Sequence, residues 1–160
     1  MSRSRTVAML DRALGGALAV LMLGLVSAVT WQVASRYLLG DPSAWTEELA
    51  RYLLIWVGLL GAAYAYRTRA HMGIDLLAQK VSPARQAALR VTSALAVLAF
   101  AAPVMIVGGA SLVQLTWELR QYSAALGLPM AVVYAAIPLS GAIIALYALL
   151  DIAVIGRERL

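Results

Sequence analysis

His71 is the single histidine of the chain, and no cysteine accompanies it. A lone imidazole cannot complete a zinc site or ligate haem on both faces, and without thiolates there is no disulfide framework, iron–sulfur cluster or cysteine nucleophile. Glu47 and Glu48 are adjacent carboxylates, but consecutive helical positions point in different directions, so they form a poor acid–base pair. No G-x-S-x-G elbow, glycine-rich phosphate loop or H-E-x-x-H helix occurs. What remains is an ionic relationship: Glu47 precedes Arg51 by four residues, the favourable order for an intrahelical pair. These residues argue against an enzyme, and no cofactor or metal is expected.

The elements around them explain why. Four uncharged runs, Ala13 to Ser35, Tyr52 to Tyr66, Val91 to Trp117 and Gln121 to Leu150, occupy most of the chain. A helix crosses the bilayer core with roughly 20 apolar residues. The second run covers only about 22 Å at the helical rise, so it spans if its helix begins near Glu47 and Arg51 snorkels outward. The expected fold is an all-α integral membrane protein over residues 1–160, a single membrane domain with spans of about 13–35, 48–66, 88–115 and 126–150.

Composition agrees: 62% of residues are hydrophobic and 13% charged, outside the range of soluble domains. The formal charge of +5 is scattered over loops rather than gathered in a patch, which argues against nucleic acid. With four spans, ten Lys and Arg fall on one side (Arg3, Arg5, Arg12; Arg67, Arg69, Lys80, Arg85, Arg90; Arg157, Arg159) and three on the other (Arg36, Arg51, Arg120). The positive-inside rule therefore predicts cytoplasmic termini. The run after the basic start is too long for a signal-peptide core, so it is expected to be retained.

The loops carry further signals. Gly40-Asp41-Pro42-Ser43 forms a turn, and Thr46 is a plausible N-cap ahead of Glu47 and Glu48, whose charges suit a helix N-terminus. Glu47, Arg51, Leu54, Gly58, Gly61 and Ala65 share one helical face, with Gly58-x-x-x-Ala62 and Gly61-x-x-x-Ala65 as small-residue pairs. Such a face suits close helix packing, either within this chain or against a second membrane protein. The fourth span repeats the device with Ala131, Ala135, Pro138, Ala142 and Ala145.

Between spans 2 and 3, Ile74, Leu77, Val81, Ala84 and Ala88 fall on one face, predicting an interfacial amphipathic helix over about 74–81. Lys80 and Arg85 then lie near anionic phospholipid headgroups. Ser82-Pro83 starts the next helix. No ionisable residue falls well inside a span, which leaves the chain without an obvious transport path of its own. Thr30, Gln32, Ser111, Gln114 and Ser140 are expected as interhelical hydrogen-bond partners, and Pro103 and Pro138 as kinks.

The order Arg36-Tyr37, a turn, Trp45-Thr46-Glu47-Glu48-Leu49-Ala50-Arg51, a Trp-Val-Gly-Leu-Leu-Gly-Ala-Ala span, then Arg67-x-Arg69-Ala70-His71-Met72-Gly73-Ile74-Asp75 resembles the small, DctQ-like membrane subunit of TRAP (tripartite ATP-independent periplasmic) transporters. The specific part of the likeness is Arg36 to Asp75; the last two spans match as generic apolar helices. The resemblance implies a bacterial inner-membrane, multi-pass scaffold without a substrate site. Its implied partners are a large elevator-type membrane subunit with the substrate and sodium sites, and a periplasmic substrate-binding protein that captures organic carboxylates or sulfonates. It places Trp45, Glu47, Glu48 and Arg51 on the periplasmic surface, where a partner is met, and Arg67, Arg69, His71 and Asp75 on the cytoplasmic side. Two other classes share the size. A membrane anchor of a respiratory oxidoreductase typically carries histidines within its spans for haem, and a small multidrug exporter needs an intramembrane acid.

Overall fold

The structure, a computed structural model, describes residues 5–41, 43–68 and 83–157. Four of its helices are long and apolar enough to cross a membrane: Val7–Leu39, Ala44–Arg67, Gln86–Glu118 and Met130–Ile155. The first comprises α1 (Arg5–Ala34) and a π-helical turn, Ser35–Leu39, which Gly40 closes. Next comes α2 (Ala44–Arg67). Span 3 is α3 (Pro83–Phe100), a π-helix over Ala101–Gly108 and α4 (Gly109–Glu118). Span 4 is a short α5 (Met130–Tyr134) followed by α6 (Ala136–Arg157). The segment 74–81 expected as an interfacial helix, Arg69, His71, Asp75 and Lys80, and the side chain of Arg85 lie outside the described residues.

Span 2 solves its length problem by starting early. With Ala44 at its first position, α2 has 24 residues, about 36 Å of helix. This corrects the expected cap: Ser43, not Thr46, holds the N-cap position and makes no side-chain cap bond. Thr46 is fully buried one turn inside, and its hydroxyl donates to the Ser43 carbonyl at 2.9 Å.

Both internal prolines mark departures from α geometry, because proline lacks an N–H and crowds the carbonyl four residues back. Pro103 sits in the π-helix rather than at a simple kink. Pro138 lies four residues after Tyr134, where α5 ends.

Side by side, the spans pack in the order 1, 2, 4, 3: α1 lies on α2, α2 on α6, and α6 on α3 and the π-helix. Span 4 is central, and Ile144, Ala145, Tyr147 and Ala148 are buried there. Two glycines bring span 3 against it. A Cβ on Gly141 would stand 2.5 Å from Met105 Cβ, and one on Gly109 would stand 2.9 Å from Ile137 and Pro138 side-chain atoms. Close approach requires a residue without a side chain at both.

The glycines singled out from sequence behave differently. A Cβ at Gly58 or Gly61 would meet nothing within 4 Å, so no close approach among the described helices requires a glycine at either. The inward face of α2 carries Thr46, Ala50, Leu60 and Ala63 instead. Four of the five polar span residues also bond locally rather than across helices. Thr30, Ser111, Gln114 and Ser140 bond within their own helices, to Val26, Val107, Glu118 and Ile137 respectively. A hydroxyl in an apolar span is satisfied most cheaply by a carbonyl one turn back.

Candidate functional site

Glu48 stands in the second turn of α2, where the 119–129 turn between spans 3 and 4 folds over it. Its carboxylate accepts the backbone N–H groups of Ala124 (3.1 Å), Ala125 (2.8 Å) and Leu126 (2.8 Å), 76 to 78 positions away, and the Tyr52 hydroxyl at 2.7 Å. The turn is ordered from within as well. Ser123 and Leu128 pair, Met130 N–H reaches the Gln121 carbonyl, and Gly127 adopts φ 64°, a left-handed conformation natural to glycine. Sequence reasoning placed Glu48 on the surface; the three N–H donors lie in the uncharged run from Gln121 that it reads as leading directly into a span starting near 126, whereas the helix begins at Met130.

Next to this half-buried carboxylate, the other charges are exposed. Arg51 Nη2 lies 3.1 Å from Glu47 Oε1, and their side chains are 65% and 56% exposed. The pair expected from the spacing is therefore present, at a solvent-facing rim with the exposed Trp45. Tyr37, Leu38 and Leu39 at the end of span 1, and Trp117, Leu119 and Tyr122 at the end of span 3, are also exposed at this end of the helix layer.

At the opposite end, Asp11, Arg67 and Tyr147 meet. Arg67 Nε donates to both Asp11 carboxylate oxygens at 3.3 Å, the Tyr147 hydroxyl donates to Asp11 Oδ1 at 2.9 Å, and the guanidinium lies over the Tyr147 ring, 5.4 Å from its centre. Tyr147 is almost fully buried. Sequence reading located Arg67 in a motif and did not single out Asp11. The missed signal was complementarity: consecutive antiparallel spans bring the start of one and the end of the next to the same membrane depth, and these carry opposite charges.

Between the two ends, an apolar groove of about 510 Å³ opens sideways between spans 2 and 3. Ala62 forms one wall, Ala96, Val97, Phe100 and Met105 the other, and Ile144 of span 4 lies at its floor. Gly58 and Gly61, open to space, sit on the same helix as the Ala62 wall. Among the described residues no three His, Cys, Asp or Glu side chains gather where a metal could be held.

Long apolar helices, carboxylates bonded to their own chain and a groove without polar groups define a helical membrane protein built for packing. Residues 25–157 match the family described as tripartite ATP-independent periplasmic transporters, DctQ component. The chain belongs to that family: it is a multi-pass membrane protein and a TRAP small permease component, not an enzyme. It is 35% identical over 88 residues to the sialic acid TRAP transporter small permease protein SiaQ of Vibrio cholerae, covering 55% of this chain and 51% of that one. A putative TRAP transporter small permease protein of Haemophilus influenzae is 30% identical over 128 residues, 79% of this chain and 78% of its own length. The isethionate TRAP transporter permease protein DctMQ of Oleidesulfovibrio alaskensis is 28% identical over 145 residues, 87% of this chain but 22% of that protein. The matched region thus spans about half of the Vibrio relative and under a quarter of DctMQ.

Proposed function

We propose that this chain is the scaffold subunit of a TRAP uptake system for organic anions, carboxylates or sulfonates, and that it contributes no substrate or sodium ligand. The observation that carries this reading is where its carboxylates are spent. Asp11 is bonded to Arg67 and Tyr147, and Glu48 to a turn of the same chain. A transport path needs polar groups facing a cavity, whereas the groove here is lined by apolar side chains. The anion class is supported by the sialic acid and isethionate named for relatives.

Its main partner is a large, elevator-type permease subunit. Support comes from DctMQ, a permease in which the matched segment is a minor part of a much longer chain. The open stripe of Gly58, Gly61, Ala62 and Ala65 beside the groove is the face offered to that partner, because small residues let a foreign helix approach closely. Trp45, Glu47 and Arg51 form a rim for a periplasmic substrate-binding protein, with Glu48 behind them. Both termini are cytoplasmic in the bacterial inner membrane. On that side the sequence places Arg69, His71 and Asp75, with Lys80 and Arg85 available to phospholipid headgroups.

Proteoliposomes holding the large subunit with and without this chain, both supplied with the substrate-loaded periplasmic binding protein, test the reading. Sodium-driven uptake is expected only when both are present. Full uptake by the large subunit alone would end the scaffold assignment.

A further inference from the structure

Three of the four hydrogen bonds of Glu48 leave its own helix for a turn in another part of the chain. Consecutive N–H groups converging on one anion form a nest. The turn's own backbone bonds use other donors, the N–H groups of Ser123, Gly127 and Met130. Oε1 serves Tyr52 and Ala124 while Oε2 serves Ala125 and Leu126, so both oxygens are committed and the contact needs a carboxylate.

We propose that Glu48 is a positioning residue: it locks the 119–129 turn to the start of span 2, so that the two present one preformed surface to the soluble binding protein. This rests on the reading of that end as the partner-facing one. The surface so fixed joins Trp45, Glu47 and Arg51 to Tyr122, all exposed. Aromatic and arginine side chains are favoured anchors of protein interfaces, and a surface ordered beforehand loses less entropy on association. Glu48 itself touches no partner.

Glu48→Gln leaves one acceptor oxygen where two serve. Its amide NH2 then opposes either the Ala125 and Leu126 N–H groups or the Ala124 N–H and the Tyr52 hydroxyl. Tyr52→Phe, by contrast, keeps all three backbone bonds and loses only the hydroxyl's contacts with Glu48 and with Met130 Sδ, 3.4 Å away. The test uses the chain with its large subunit in lipid nanodiscs, following hydrogen–deuterium exchange in the 119–129 peptide and the association rate of the binding protein. Glu48→Gln is expected to raise exchange at least tenfold in that peptide alone and to slow association several-fold, while Tyr52→Phe stays near wild type. Unchanged exchange in Glu48→Gln, or faster exchange with unchanged association, would overturn the proposal. If Glu48→Gln unfolds, raising exchange along α6 as well, Glu48→Asp decides. It keeps the charge but shortens the reach, and the same local rise is required of it. Absence of any association with the wild-type complex would instead sink the proposed function, with the exchange data still deciding whether Glu48 holds the turn.

Discussion

Arg67 Nε lies 3.3 Å from both carboxylate oxygens of Asp11, a residue 56 positions earlier, so the last residue of α2 is tied to the first turns of α1. The Tyr147 hydroxyl extends the tie to α6. Among the described residues span 1 otherwise packs chiefly on span 2, and packing between apolar helices in lipid has no hydrophobic drive to fix its register. The clasp supplies a directional contact where none of the apolar faces does.

Removing one partner should therefore cost more than removing an exposed pair. The side chains of Arg67 and Asp11 are 21% and 18% exposed, so Asp11→Ala or Arg67→Ala is expected to destabilise by about 1.5–3 kcal/mol, the range of hydrogen bonds to charged groups. Arg51→Ala, at the exposed rim, should change stability by less than about 1 kcal/mol. Thermal unfolding in detergent with a double-mutant cycle over Asp11 and Arg67 measures the coupling. Additive single effects would show that the clasp carries no energy of its own.

The glycines separate internal packing from an external face. Gly141→Leu must displace Met105, and overpacking typically costs about 1–3 kcal/mol, so the isolated chain should lose thermal stability. Gly58→Leu with Gly61→Leu meets open space and should leave the isolated chain unchanged while weakening copurification with the large subunit. If that double variant keeps both stability and association, the stripe faces lipid.

These contrasts mark how far the sequence could be read. Span number and helical class followed from hydropathy alone, since a bilayer imposes length and leaves few alternatives. Spacing showed that Gly58, Gly61 and Ala65 share a face but not which way the face looks, because in lipid both the inner and the outer surface of a helix are apolar. The Glu47–Arg51 pair was legible as a local i, i+4 relationship. The Asp11–Tyr147 bond, at a separation of 136, and the Glu48 nest required knowledge of which loops and ends meet. The π-helix at Pro103 has no counterpart in a periodicity argument, since one widened turn shifts every later residue around the axis.

Topology can be checked with single cysteines, as the chain has none of its own. Asp41 and Thr68 are both exposed and lie at opposite ends of span 2. With cytoplasmic termini, an impermeant thiol reagent on spheroplasts should label Asp41→Cys, and Thr68→Cys only after permeabilisation. The reverse pattern would invert the assignment and move Trp45, Glu47 and Arg51 to the cytoplasm.

The rim pair offers a substitution that perturbs recognition without unpairing charge. Exchanging the two, Glu47→Arg with Arg51→Glu, keeps opposite charges four apart on one helix turn, so folding should change by only tenths of a kcal/mol. What it inverts is the charge pattern shown to a soluble partner. Charges at a rim act chiefly on association rate and its salt dependence, so uptake driven by the binding protein should fall at low ionic strength and converge toward wild type as salt is raised. The sodium dependence of the remaining transport should stay the same, because neither side chain is a sodium ligand under the scaffold reading. Reconstituted uptake over a sodium series at two ionic strengths, with choline replacing sodium within each series and sucrose balancing osmolarity between them, separates the two effects. A shifted sodium affinity in the exchanged variant would place this rim in the transport machinery and refute the scaffold role.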